Sequence, residues 1–200
     1  MNDIKKLKSW QIVGVFVIFL LAALWHFVYA WIPSGVSATI FSVNESPWEH
    51  VKLLFFPAII FYLIEYIFIG RKYDNYIFAH GVSIVLMPIM MFILFYGYRL
   101  GLKIEENLIL DIVITFIVTS IGSLIAYRIT VGKRSLKTLS FITPIVILIM
   151  FVSYSLLTFF TPHKPVFYDK NTDSYGLEAG AEGHDHNHDD EHEDEDHDDE

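Results

Sequence analysis

The sequence predicts an all-α, polytopic membrane protein of about five transmembrane helices followed by a disordered C-terminal tail. Three observations predict it. Hydrophobic residues make up 54% of the chain and aromatic residues 16%, above the roughly 45–50% apolar content of soluble domains. The apolar residues fall in five long blocks, each able to cross about 30 Å of hydrocarbon at about 1.5 Å per residue. Charge is also segregated. Of the 23 acids, 12 lie in residues 182–200, which contain no Lys or Arg, so a strongly acidic end follows a mildly basic body.

The first block spans about residues 10–31, with Trp10 and Trp31 as aromatic anchors at the two interfaces. Lys5, Lys6 and Lys8 ahead of it resemble the start of a secretory signal. Its length and the lack of a clean small-residue cleavage site argue for a retained helix. The remaining spans are expected over about 47–70, 76–98, 108–127 and 139–160. Pro57, Pro88 and Pro144 fall inside spans two, three and five, where neighbouring groups in a bundle can satisfy the freed carbonyls. The membrane domain is thus placed at 1–163. Residues 164–183, rich in Gly and holding Pro165, read as a linker. Residues 184–200 are of low complexity and too polar to build a core.

Orientation follows from the basic residues. With the N-terminus cytoplasmic, nine Lys and Arg lie on the inner side and five on the outer side, which predicts a cell-membrane protein with its C-terminal tail outside.

There are no cysteines, so disulfides, thiolate metal sites and cysteine nucleophiles are excluded. A metal would have to use imidazole and carboxylate, a donor set suited to zinc or nickel. No basic cluster could follow a nucleic-acid backbone, and nucleic acid is not an expected partner. Gly-x-Ser-x-Gly, His-Glu-x-x-His and a phosphate-binding glycine loop are all absent from the sequence. Whether the protein is an enzyme stays open.

Ionisable groups inside a span are costly and usually have a partner or a purpose. Counting outward from the turn between spans two and three puts Glu65 and His80 level, as a structural pair or a proton relay. The same count puts Arg99 level with Asp111, the expected partner of a salt bridge. The densest group lies between spans one and two. His26 precedes the end of span one, and Asn44-Glu45-Ser46-Pro47-Trp48-Glu49-His50 opens span two. Asp111 and His163 come to the same side, so His26, His50, His163 and Asp111 form a candidate metal set. Glu45 and Glu49 are candidate general bases beside a metal-bound water. Each residue has a plainer explanation. Ser46 and Glu49 match a capping box, in which Glu49 reaches back to the Ser46 amide. The histidines could be interfacial side chains. In the tail, His184, His186, His188, His192 and His197 among acids have a metal-binding composition, or serve only solubility.

The run Asn44-Glu45-Ser46-Pro47-Trp48-Glu49-His50-Val51-Lys52-Leu53-Leu54-Phe55-Phe56-Pro57 resembles the marker segment of a family of small multi-pass bacterial integral membrane proteins of unknown function. His26-Phe27-x-Tyr29-x-Trp31, Pro162-His163-x-Pro165-x-Phe167-x-Asp169 and Tyr175-Gly176 are similar to its other markers. The resemblance covers about residues 10–176 and implies no catalytic residues, but it groups His26, Glu45, Glu49, His50 and His163 as one unit. Three functions follow as expectations: binding or handling of a divalent metal at the outer face, metal-dependent hydrolysis within the membrane, or a non-catalytic accessory or scaffold role. Five spans are few for a self-contained alternating-access transporter, so transport would require a homo-oligomer or a membrane partner.

Overall fold

The computed structural model describes residues 3–98 and 107–178. Seven α-helices occur among them: α1 (Asp3–Trp31), α2 (Gly35–Ile40), α3 (Pro47–His50), α4 (Lys52–Phe68), α5 (Tyr76–Tyr96), α6 (Leu108–Thr130) and α7 (Ile142–Phe159). Short 3₁₀ turns at Gly70–Lys72, Lys137–Leu139 and Pro165–Phe167 join or follow them. One small antiparallel hairpin, β1 (Tyr168–Asp169) and β2 (Ser174–Tyr175), pairs Tyr168 with Tyr175 and Asp169 with Ser174.

Five segments are long and apolar enough to cross a membrane: Asp3–Trp31, Pro47–Phe68, Tyr76–Phe95, Leu108–Thr130 and Lys137–Phe159. This is the architecture of a multi-pass membrane protein. The short α3 and α4 meet at Val51, itself in the helical region, and together form the second span. Pro57 and Pro88 lie inside α4 and α5. Pro144 falls in the first turn of α7, where a missing N–H costs nothing because first-turn amides have no intrahelical partner.

Polarity is distributed as bilayer solvation demands. Large apolar side chains such as Phe16, Leu20, Leu63, Phe68, Leu148 and Ile149 are exposed, whereas Gln11, Glu49, Lys52, Glu65, His80, Thr119 and Thr158 are buried. In hydrocarbon, a polar group facing lipid would lose its hydrogen bonds altogether. The core between helices is built from Ile18, Leu54, Phe55, Phe61, Met87, Val118 and their neighbours. Helix α1 packs on α4 and α6, and α5 packs on α4, α6 and α7. Small residues allow the close approaches. A Cβ on Gly14 would run into Phe61, and one on Gly122 into Met87 and Ser83.

One end of the bundle is covered by residues 32–46 and by the segment after α7. Residues 164–178 were expected as linker, yet they fold onto this end. Phe167 packs on Trp48, with ring centroids 5.0 Å apart, and Asp169 is buried. Hydrogen bonds to the loop ahead of α3 hold the segment down, and composition alone carries no trace of them. The opposite end is closed by Asn75. Its amide nitrogen donates to the carbonyls of Ile129, Gly132 and Arg134, and its Oδ1 accepts from the Leu136 amide.

Candidate metal centre

His26 lies five residues before the end of α1, at the covered end of the bundle. Ser46 caps α3, its Oγ accepting the Glu49 amide at 3.4 Å, and Pro47 follows at the first helical position. That turn places His50 one helical turn beyond Ser46, and the His50 Nδ1 lies 2.9 Å from the Ser46 carbonyl oxygen. A carbonyl only accepts, so Nδ1 carries the hydrogen and Nε2 is the remaining donor atom for a ligand bond.

Glu45 completes the group. Its Oε1 is 2.9 Å from His26 Nε2 and its Oε2 is 3.3 Å from His50 Nε2. The two imidazole centroids are 5.5 Å apart. One ligand atom from each of the three half-buried residues falls within 4.8 Å of the others. Burial alone would raise the Glu45 carboxyl. The hydrogen bonds and positive charge of the two imidazoles outweigh it and hold the group well below the ordinary carboxylate range.

The loop bearing Glu45 is fixed from the other end of the chain. The Glu45 amide donates to Asp169 Oδ2 at 3.1 Å, and Asp169 Oδ1 accepts the Asn171 amide. Asn44 donates through Nδ2 to the Gly176 carbonyl at 2.8 Å and accepts the Ser46 amide on Oδ1 at 2.9 Å. Gly176 has φ +59°, and a Cβ there would also meet Thr161. Glycine satisfies both constraints at once.

The segments that build and brace this group all fall within one family match, whose sequence pattern covers residues 1–177. The chain belongs to DUF6512, a family of unknown function. No curated protein and no solved structure matches it.

Within this DUF6512 region the other expected site residues have different surroundings. Glu49 does not reach back to the Ser46 amide, which Asn44 already occupies. Its carboxylate turns inward instead. It accepts Lys52 Nζ at 2.8 Å, the Val43 amide at 3.2 Å and the Thr158 hydroxyl at 2.6 Å. Lys52 in turn donates to Thr158 Oγ1 at 2.6 Å and to the Ala38 carbonyl at 2.9 Å. Both charged groups are buried, so the Glu49 carboxylate is paired with Lys52 and shut off from solvent. Sequence reading missed Lys52, although its spacing of three from Glu49 was the available signal.

Asp111 accepts a hydrogen bond from the Tyr98 hydroxyl. It lies outside the close three-residue group, but shares with His26 and His50 the wall of a cavity of about 310 Å³ between α1, α4, α5 and α6. His163 is exposed and packs edge-on against Tyr175 at 4.6 Å, and the close three-residue group among the described residues does not include it. The expected Arg99 partner and the histidines at 184, 186, 188, 192 and 197 lie outside the described residues.

Glu65 and His80 belong to the opposite half of the bundle. Glu65 Oε2 is 3.5 Å from His80 Nε2, and the Gln11 amide nitrogen donates to both Glu65 oxygens at 2.7 and 2.8 Å. The Tyr76 hydroxyl also donates to Glu65, at 3.0 Å. His80 Nδ1 is directed at the Tyr76 carbonyl at 2.8 Å. These residues are buried, and their hydrogen bonds join α1, α4 and α5.

Proposed function

We propose that His26, Glu45 and His50 hold one divalent cation, zinc or nickel by donor type, on the extracytoplasmic face of the membrane. The observation that carries this reading is the position of one carboxylate between two Nε2 atoms, one of which belongs to a ring whose Nδ1 hydrogen is already committed to Ser46. Imidazole lone pairs and carboxylate oxygens repel at such distances unless protons or a cation stand between them. The Nδ1–carbonyl bond is the support that metal-ligating histidines usually have. Two histidines and one glutamate are also a familiar zinc set that leaves a fourth position for water.

The face follows from the distribution of basic residues, which puts the N-terminus in the cytoplasm. On that side the histidine-rich tail would raise the local cation concentration next to the site. With three protein ligands, a bound ion would have a position left for water, and because His26 and His50 also wall the adjoining cavity, this favours metal-dependent hydrolysis over storage or a scaffold role.

Elemental analysis of the full chain and of a chain truncated after residue 178 tests the reading. About one ion per truncated chain is expected, falling to background in His26→Ala, His50→Ala and Glu45→Gln. A truncated chain that folds and retains no stoichiometric ion would leave the triad as an ion-pair lock in an accessory protein.

A further inference from the structure

We infer that this centre hydrolyses the acyl linkage of a membrane lipid, whose chain lies in the cavity between α1, α4, α5 and α6; the inference rests on the metal reading above. The cavity holds about 310 Å³ and is walled by apolar side chains, among them Phe19, Ala22, Leu54, Met91 and Phe95, within the usual range of ligand pockets. Among the described residues, His26, His50 and Asp111 are the ionisable groups in its wall. Along α1 the lining runs from Phe19 to His26, about 10 Å of helix at 1.5 Å per residue. The cavity therefore extends away from the covered end, alongside hydrocarbon.

Its occupant follows from that depth. The faces flanking it carry exposed Phe16, Leu20 and Leu24 on α1 and Ile112 and Phe116 on α6. Bilayer lipid surrounds such surfaces, and a chain enters sideways with its polar linkage left near the histidines. A soluble peptide or sugar would have to shed its hydration to reach the same space, without polar walls to replace it.

The reaction consumes one water and is redox-neutral. The oxygen of the metal-activated water bonds to the acyl carbonyl carbon. The bond from that carbon to the ester oxygen or amide nitrogen breaks, and the water proton passes to the departing atom. Asp111, in the same wall and hydrogen-bonded by Tyr98, is the carboxylate placed to carry it. The products are a fatty acid and the alcohol or amine.

The test uses the full chain loaded with zinc in lipid nanodiscs containing either a phosphatidylglycerol or an N-acyl sphingoid lipid, in water enriched in ¹⁸O. One labelled oxygen is expected in fatty acid released from at least one of the two. Asp111→Asn and Ala23→Trp, the latter filling the cavity from an exposed position, are expected to lower release about 100-fold or more, the scale of general acid–base catalysis. Zinc content should stay unchanged in both, which separates a loss of catalysis from a loss of the centre. Stoichiometric zinc with no labelled acid from either lipid overturns the inference and leaves the metal centre standing, as do variants that match the parent's rate. A parent chain that takes up no zinc overturns both readings together.

Discussion

Lys52 has no contact with water, and its four partners, Glu49, Thr158 and the carbonyls of Ala38 and Phe41, come from three separate segments. Removing one member of a buried pair strands the other charge, at a cost of about 3–5 kcal/mol. Lys52→Met should therefore lower the melting temperature sharply in detergent, and adding Glu49→Gln should recover a large part of the loss. A double variant no more stable than the single one would contradict this. At Glu45 the pH dependence has a definite sign. Its carboxyl is depressed in the fold, so its stabilisation is present above the unfolded carboxylate value near 4.3 and is lost only as pH falls through the lower folded value. A cation held by His26 and His50 would compete with protons for their ring nitrogens, so zinc affinity should drop at least about tenfold from pH 8 to 5.5 in a titration. At this scale the sequence was a partial guide. His26, Glu45 and His50 were visible as residue types, but the direction of Glu49 was not, because the Asn44 side chain decides it by taking the Ser46 amide.

Among the elements, the long helices were legible and the hairpin was not. A run of apolar residues long enough to span hydrocarbon has few other uses. Strands of two residues have no periodicity to detect, and Pro162, Pro165, Gly176, Gly180 and Gly183 around the hairpin imitate a linker. What orders the segment is its attachment to Asn44 and Glu45, a contact across more than a hundred residues. Asp169→Ala should therefore act at a distance. It frees the backbone beneath Glu45 and is expected to weaken zinc binding 10–100-fold, as loss of supporting groups around metal ligands does, while the spans keep their helicity by circular dichroism. Unchanged zinc affinity would show that the hairpin only covers the site.

For the whole molecule, what holds the helices together is close packing, since lipid tails solvate apolar side chains as well as other helices do. Gly122 is the test of this. A side chain there would collide with Met87 on α5, and Gly122→Val should part α5 from α6 and lower the melting temperature by several degrees. The distribution of Lys and Arg predicts that the site faces outward, so a reporter fused after residue 178 that is active only in the cytoplasm should be inactive.

The attachment of Glu45 to Asp169 and of Asn44 to Gly176 also bears on biogenesis. His26, Glu45 and His50 emerge from the ribosome before α5 and α6 exist to form the cavity wall. The clamp that steadies them is among the last parts made. A nascent chain would therefore carry these residues early but hold them loosely, and tight binding of a cation by them would coincide with completion of the fifth span and of the hairpin that follows it. Metal retention would then report that assembly in the membrane has finished.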